Sequence, residues 1–357
     1  PAAQWLAGRT IAATATFRRP ARYLDEGVPD FERDLAIAGT TLFASVKSAL
    51  LVEVTARGSP LEEAAARVRQ HVRHAIARWV ATHDPLSAAI AAAVLIGDRS
   101  GLPDEVRDRL QAAGTYHVIA ISGGNIAILA GFSFACFFLV GITGRTAATL
   151  TLAVLILYAE VVTAGPSVWR ATLMAALYLI SRILDHRTPP WQAMAVAATF
   201  VVRVNPLDVR DAGFILTFGA TMALLEGARR TMTARVPTRV RWVVASLVAS
   251  AAAEIMLLPV SAAAFSRVTA AGLVLNLLAV PLMTVVQMAA MVVSLADRFG
   301  TVASLAGWLA HLAAHGILWS ATLVDAAPWL TWRVAPPGWP LVVVYYSALA
   351  AARLSHR

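Results

Sequence analysis

The last two-thirds of the chain is a series of apolar runs separated by short loops, and this pattern constrains the fold more than any other feature. A helix needs about 20 apolar residues to cross a bilayer, and its backbone groups must bond within the segment. The pattern therefore predicts an all-α polytopic membrane protein with about nine spans, some of them broken or re-entrant. The runs lie at about 117–140, 146–163, 167–184, 190–204, 211–227, 240–259, 269–296, 303–325 and 339–352.

Composition divides the chain into two regions. Hydrophobic residues make up 58% of the 357 residues and charged residues only 14%, whereas an average soluble domain has about 25% charged residues. The shortage of charge is concentrated after residue 116. We expect residues 116–357 to form a transmembrane helical domain and residues 56–115 to form amphipathic and re-entrant helices. Residues 1–55 are expected to be the remnant or edge of a small outer β-domain.

Two stretches of the N-terminal region are rich in β-forming residues. Residues 9–17 and 40–54 show some alternation of apolar and polar side chains, and a polar stretch with prolines and a glycine separates them. This pattern predicts two or three short strands. A short β/α extramembrane segment is therefore expected before the membrane part.

Residues 60–82 have the pattern of a basic amphipathic helix. Pro60 suits the first helical position, and apolar residues recur on one helical face. One interpretation is a helix on an anionic membrane surface or against a phosphate backbone. The other is a helix that packs on its own protein and has a solvated face. The basic stripe on the second face consists of Arg67, His71, His74 and Arg78.

The apolar segment at 86–97 is too short to span a membrane, and a re-entrant or buried helix fits it better. Asp98 and Arg99 follow this segment directly. They form either a mutual ion pair that ends the helix or a constriction at the mouth of a pore. The sequence leaves both interpretations open.

The segment 114–129 places polar residues and glycines at the mouth of an apolar run and inside it. Polar groups at that depth persist only where protein or water covers them. Each of the paired glycines weakens a helix by about 1 kcal/mol. The pair favours either an unwound segment whose amides face an anion or close packing of two helices. The residues concerned are His117, Ser122, Gly123, Gly124 and Asn125.

Further polar residues lie inside the later runs or near their ends. A buried Arg170 needs a partner, and Asp208, Asp211 or a substrate phosphate could serve. Asp211 also opens a helix, where its carboxylate would cap the helix dipole. The remaining polar residues are candidates for a lining or proton-coupled role (Glu160 and Glu254) or for interhelical hydrogen bonds (Asn276 and Gln287).

The loops carry the charge that sets orientation. The net charge is +9, and short loops rich in arginine face the cytoplasm in membrane proteins. The alternation of spans around the most basic loop then places residues 1–115 outside. That loop contains Arg229, Arg230, Arg235, Arg239 and Arg241.

The sequence offers little for catalysis. Cys136 is the one cysteine of the chain, so neither an intrachain disulfide nor a cysteine metal site can form. His311 and His315 are four residues apart but lack the glutamate of a His-Glu-x-x-His motif, so neither a metal nor another cofactor is expected. One alternative function is an intramembrane serine protease with Ser122 as nucleophile and His315 as base. A small-molecule or lipid transporter is another alternative.

Five pieces of the chain resemble, in order, the membrane domain of the ComEC-type competence proteins, the DNA-uptake channel family. Gly124-Asn125 stands where that family usually continues with Leu-His, and the outer cysteine pair of some relatives is absent. Nothing after residue 300 resembles the metallo-β-lactamase-like domain of many relatives, so no nuclease and no enzyme activity is expected. The pieces are Ala-Ala-Ala-Val-Leu-Ile-Gly-Asp-Arg-Ser (91–100), Gly-Thr-Tyr-His-Val-Ile-Ala-Ile-Ser-Gly (114–123), Gly-Pro-Ser-Val-Trp-Arg-Ala (165–171), Asn-Pro-Leu-Asp-Val-Arg-Asp-Ala-Gly-Phe (205–214), and Leu258-Pro259 with Asn276 and Pro281.

The resemblance implies a channel in the bacterial inner membrane that passes single-stranded DNA into the cytoplasm during natural transformation. It also implies a separate cytoplasmic motor and an outer DNA receptor, and the sequence has no Gly-x-x-x-x-Gly-Lys loop for ATP. A conduit must bind its substrate weakly enough to release it. The candidates for the DNA pathway are Asp98, Arg99, His117, Ser122, Gly123, Gly124, Asn125, Glu160, Arg170, Glu254 and Asn276.

Overall fold

A computed structural model describes residues 5–21, 31–37, 39–162, 165–186, 188–233, 237 and 239–355. Arg235 of the basic loop lies outside the described residues. The structure is mostly helical, at 73%. The helices are α1 Phe31–Ile37, α2 Pro60–Trp79, α3 Pro85–Ile96, α4 Asp104–Ala112, α5 Tyr116–Ile119, α6 Gly123–Leu139, α7 Gly144–Val161, α8 Pro166–Ile183, α9 Pro190–Val204, α10 Ala212–Thr233, α11 Arg241–Phe265, α12 Ala271–Leu295, α13 Gly300–Thr322 and α14 Trp339–Ser355.

Three antiparallel strand pairs accompany the helices in the described residues. In the N-terminal region, β1 (Thr10–Ala13) pairs with β4 (Val52–Ala56), and β2 (Thr16–Arg18) pairs with β3 (Phe43–Ser45). These pairs confirm the expected N-terminal strand segment, but among the described residues it has four strands rather than the predicted two or three, because each β-rich stretch forms two. A third pair, β5 (Arg267–Thr269) with β6 (Thr331–Arg333), was not predicted. Three residues are too few to produce an alternation that the sequence would reveal.

Each predicted apolar run corresponds to helix in the structure, although the run at 117–140 is divided between α5 and α6. Within the part of the chain that the structure describes, four helical segments could cross a membrane by length and composition: Gly144–Val161, Arg241–Phe265, Ala271–Leu295 and Gly300–Ala326. The shorter apolar helices include α3 and α6. The structure therefore supports a membrane protein, while the count of nine spans stays a prediction.

The helical core is built around α3, which packs against α2, α12 and α13. Ile90 and Val94 of α3 have no exposed surface, which favours a buried helix for this short apolar segment. The most extensive helix packing joins α12 to α13. A side chain at Gly307 of α13 would collide with the carbonyl oxygen of Trp79, so the end of α2 rests on the backbone of α13.

The basic helix α2 lies against the bundle. Its first turn is closed by a capping box, in which the amide of Glu62 donates to Ser59 Oγ and the amide of Ser59 donates to Glu62 Oε2. Two members of the basic stripe contact the end of α12: His71 Nε2 lies 2.8 Å from the Ser294 carbonyl, and Arg78 pairs with Asp297 at 3.3 Å. These contacts favour a helix packed on its own protein. The other two members, Arg67 and His74, are exposed.

Helix α11 contains Pro259, which has no amide hydrogen and therefore leaves the Ile255 carbonyl without its helical donor. Two tyrosines of α14 donate to carbonyls at this point. Tyr345 Oη donates to Ile255 O at 2.6 Å, and Tyr346 Oη donates to Met256 O at 2.8 Å. The tyrosines attach α14 to α11 near Pro259, and Tyr345 satisfies the carbonyl that the proline leaves without a donor, as membrane proteins require for freed backbone groups.

We predict that the contribution of Tyr345 depends on Pro259. Tyr345→Phe removes the donor to Ile255 and should lower stability by about 1 kcal/mol. In a Pro259→Ala background the new amide can bond to the same carbonyl, so Tyr345→Phe should cost less. Thermal unfolding of the four proteins in detergent measures this coupling. If Tyr345→Phe lowers stability equally in both backgrounds, Tyr345 does not replace the donor that Pro259 removes.

Candidate functional site

The helix that continues the segment 114–129 is broken at its polar residues. Helix α5 ends at Ile119, Ala120 and Ser122 have extended backbone, and α6 begins at Gly123. The first amides of a helix have no partner within it and carry the positive end of the helix dipole. Gly123 and Gly124 occupy these first positions and are exposed. The break therefore presents two glycine amides that can receive an anion.

The two glycines lie between other helices. A Cβ added at Gly123 would meet Ala171 of α8 at 3.9 Å, and one at Gly124 would meet Met283 of α12 at 3.9 Å. These are ordinary van der Waals distances, so the absence of side chains leaves space rather than relieving a collision. This geometry differs from tight helix packing through glycine, which would bring neighbouring backbones into contact. Of the two interpretations of the glycine pair, it favours the unwound segment over close helix packing.

Asn125 holds the break in place. Its Oδ1 accepts from the Ser122 amide at 3.0 Å and from Ser122 Oγ at 3.1 Å, and its Nδ2 donates to the Val94 carbonyl at 3.2 Å. Gln287 of α12 donates to the Asn125 carbonyl at 2.9 Å. Asn125 is fully buried. It ties α3, α6 and α12 together and does not itself face open space.

A second polar cluster lies where α12 begins. Gly114, in a left-handed conformation with φ +71°, lies so close to Gly272 that an added Cβ would be 3.0 Å from its Cα. A Cβ at Gly272 would in turn lie 2.8 Å from Glu254 Oε1 and 3.5 Å from Asn276 Nδ2. His117 lies beside this cluster, and its Nδ1 is 3.2 Å from the Gly114 carbonyl. The structure thus brings His117, Glu254 and Asn276, three of the predicted site residues, close together.

The second cluster contains a side-chain atom that lacks a partner. Asn276 Oδ1 is buried, with no hydrogen-bond donor among the described residues. Sequence reasoning missed Gly272, because a single glycine at the start of an apolar run carries no distinct signal. The pairing of Gly114 with Gly272 is a contact between distant parts of the chain, which one sequence cannot show.

Helix α12 links this cluster to the break in α6. Asn276, Met283 and Gln287 are spaced by seven and four residues, which places them on one helical face. Met283 lies about 10 Å along the helix from Asn276 at the usual rise per residue. One face of α12 therefore runs from the cluster at Glu254 to the exposed glycines of α6.

Arg170 has its partner within the protein. Its side chain is 3% exposed, and its NH1 donates to Asp211 Oδ2 at 3.2 Å. Its Nε donates to Thr217 Oγ1 at 3.3 Å. The same Asp211 oxygen accepts from the Phe214 amide at 3.1 Å, so Asp211 both caps α10 and pairs with Arg170. Asp208 instead accepts from Asn205 Nδ2 at 2.6 Å.

Asp98 and Arg99 do not pair with each other, so the interpretation as a mutual ion pair is wrong. Gly97 ends α3 with φ +73°, and the chain turns there. Asp98 then pairs with Arg73 of α2 at 2.7 Å, whereas Arg99 NH1 donates to the Tyr116 hydroxyl at 3.2 Å. Burial disfavours the Asp98 carboxylate, but hydrogen bonds from Ser100 and Arg73 outweigh it and hold the pKa of Asp98 below its usual range.

The residues of the protease alternative lie in different surroundings. Ser122 Oγ donates to Asn125, while the His315 ring lies tilted against the His311 ring with their centroids 6.0 Å apart. Nδ1 of His311 lies 3.0 Å from Ser87 Oγ. His311 and His315 line a cavity of about 530 Å³. Among the described residues, no group of three or more His, Cys, Asp or Glu side chains could hold a metal ion. No histidine is hydrogen-bonded to Ser122 in the described part of the chain.

The remaining predicted residue, Glu160, lies near the C-terminal end of α7 and is exposed. Its backbone carbonyl accepts from Arg69 NH2 at 3.4 Å, and the next carbonyl, of Val161, accepts from Arg69 Nε at 2.7 Å. This contact joins α7 to α2. Glu160 is thus on the same side of the bundle as Asp98, whose partner Arg73 lies one turn from Arg69.

We predict that replacing Asp211 destabilises the protein more than replacing its partner Arg170. Asp211→Asn leaves a buried guanidinium without a counter-charge and should destabilise the protein by about 3 kcal/mol. Arg170→Met leaves a carboxylate that is 41% exposed and still bonded to the Phe214 amide, so it should cost less. Thermal unfolding of both variants measures the difference. The double variant should lose less than the sum, and a larger loss for Arg170→Met would refute the assignment.

The chain is similar to proteins of one known family. The matching protein family is described as Competence protein, and it aligns with residues 94–357. ComE operon protein 3 of Bacillus subtilis (strain 168) is 35% identical over 141 residues, which is 40% of this chain and 18% of that relative. No solved structure matches the chain. The aligned family region contains the helix break, the second polar cluster and the Arg170–Asp211 pair.

Proposed function

This chain belongs to the Competence protein family, and from that premise we propose that it is a membrane channel for single-stranded DNA. It passes the strand through the bacterial inner membrane into the cytoplasm during natural transformation. Residues 116–357 form the channel domain. Residues 1–115 lie on the outer side, where the strand arrives. The similarity to ComE operon protein 3 supports a role in DNA uptake.

The observation that carries the proposal is the break between α5 and α6. A strand carries one negative charge per nucleotide, and hydrocarbon offers nothing to balance it. Broken helices in transporters place half-helix N-termini toward anionic groups near the middle of the membrane. The exposed amides of Gly123 and Gly124 have this character, and no fixed cation is needed beside them.

Weak binding is a requirement of such a pathway. Strong phosphate contacts would retain the strand, because a conduit must release what it binds. The buried Arg170 is already neutralised by Asp211, so the region near α6 offers dipoles rather than free guanidinium groups. The face of α12 that carries Asn276 and Met283 supplies one wall, and His117 and Glu254 lie where it starts. The strand moves because a separate cytoplasmic motor pulls it after an outer receptor has delivered it.

Deletion of the gene in a transformable host tests the function. Labelled DNA should still bind to the cell surface but should no longer become protected within the cytoplasm. Expression of the chain from a plasmid should restore transfer. Normal cytoplasmic uptake in the deletion strain would overturn the proposal.

We predict that bulk at position 124 blocks the pathway. Gly124→Leu should fill the space beside Met283 and lower transfer at least tenfold, while surface binding is unchanged. Gly124→Ala should be tolerated, since its Cβ meets neighbouring atoms at no less than 3.5 Å. Complementation of the deletion strain with each variant measures transfer.

Gly131 provides the matched control for this series. It lies in the same helix, is exposed, and has nothing within 4 Å of an added Cβ. Gly131→Leu should therefore leave transfer unchanged. If Gly131→Leu and Gly124→Leu reduce transfer equally, the defect reflects damage to α6, and the pathway does not pass Gly124.

A further inference from the structure

A small basic cleft lies where the N-terminal segment meets α2. We call it the junction cleft and define it by Trp5, Leu6, Arg69, Gln70 and Arg73, which line it together with two alanines. Its volume is about 130 Å³, roughly four times the volume that one water molecule occupies in the liquid. The described residues that line it include two arginines and no carboxylate. Its electrostatic character therefore favours an anion.

The wall that carries Trp5 is held firmly against α2. Arg9 donates to both carboxylate oxygens of Glu63, with Nε to Oε1 at 2.8 Å and NH2 to Oε2 at 3.0 Å. This pair is largely buried, with side chains 15% and 11% exposed. Gly8, at φ +89°, lies directly on the Glu62 side chain, where an added Cβ would be 2.6 Å from Glu62 Cβ. Trp5 is thus positioned only a few residues from a fixed anchor.

The opposite wall is formed by two arginines one helical turn apart. Arg69 uses its Nε to bond to the Val161 carbonyl at the end of α7, and Arg73 uses its Nε to bond to Asp98. A guanidinium has five N–H donors, so each arginine retains donors after these contacts. The single Asp98 carboxylate offsets only one of the two charges. A phosphate between Arg69 and Arg73 would relieve the repulsion between them.

Trp5 supplies the other half of a nucleotide site. It is 40% exposed at the edge of the cleft, and indole rings stack with bases of any sequence. Proteins that bind single strands without sequence preference combine such rings with positive charge along the backbone. The cleft has one ring, two guanidinium groups and a neutral amide at Gln70. A phospholipid headgroup would use the charges but has no aromatic face to stack on the ring.

Resting on the proposed channel function, we propose that the junction cleft binds one nucleotide of the incoming single strand. The base stacks on Trp5, and its phosphate lies between Arg69 and Arg73. These arginines reach the end of α7 and the loop after α3, so the bound nucleotide is next to Asp98 and Glu160. The cleft would therefore hold the strand at the boundary between the N-terminal segment and the helical bundle.

Binding of a fluorescent oligothymidylate to the purified full chain in detergent tests the proposal. Fluorescence anisotropy should show that Trp5→Ala weakens binding about tenfold, as expected for loss of one stacked base. Trp5→Phe should restore most of the affinity, because it keeps a ring. Gln70→Glu should weaken binding severalfold at low salt and less at high salt, because it places a negative charge beside the phosphate.

Gln111→Glu is the matched control. Gln111 is exposed on α4 and does not line the cleft, so the same change of charge there should leave affinity unchanged. The proposal is overturned if Trp5→Ala and Gln70→Glu bind the oligonucleotide as the unaltered chain does, or if Gln111→Glu weakens binding as much as Gln70→Glu. It is also overturned if vesicles containing phosphatidylglycerol displace the oligonucleotide from the unaltered chain and from Trp5→Ala equally well.

The two proposals fail in different ways. If Trp5→Ala binds the strand normally and the complemented deletion strain still transfers DNA, the cleft assignment is wrong and the channel stands. If the deletion strain takes up DNA normally while Trp5→Ala still loses oligonucleotide affinity, the channel is wrong and the cleft remains a strand-binding site.

Discussion

The structure depends on one constraint that the hydrocarbon core of a membrane imposes. Because that core holds no water, every backbone polar group next to it must be hydrogen-bonded within the protein. Interrupted helices can exist only where side chains satisfy the groups that the interruption frees. Asn125 does this at the start of α6, where it accepts from Ser122 and donates to Val94. Tyr345 of α14 does it for the Ile255 carbonyl that Pro259 leaves without a donor within α11. The start of α6 and the turn before Pro259 are therefore each stabilised by specific side-chain hydrogen bonds.

The break in α6 and the cluster at Gly114 belong to one arrangement. Both touch α12, the first through Met283 and Gln287 and the second through Gly272 and Asn276. The charged pairs are distributed differently. Arg170 and Asp211 join α8 to α10, and Arg73 and Asp98 join α2 to the loop after α3. Arg170 and Arg73 are thus each paired with a carboxylate within the protein, while the side chains that bond at the start of α6, Asn125 and Gln287, are uncharged.

The sequence predicted the helices well because apolar runs and their interruptions are local signals. It also predicted that Arg170 needs a partner and that Asp211 caps a helix, and the structure joins both in one contact. It could not show that Asp98 turns to Arg73 rather than to Arg99, because that choice depends on α2 lying beside the loop. Gly272 and the strands β5 and β6 were not predicted for the same reason. Their roles depend on contacts between distant segments of the chain, which short-range sequence patterns do not report.

The seating of α2 on α13 has a mechanical consequence. The carbonyl of Trp79 lies so close to the backbone at Gly307 that no side chain fits between them. At its other end α2 is joined to the N-terminal segment through Glu63 and Arg9. A force on the segment that carries Trp5 would therefore pass along α2 to α13, which packs in the helical core.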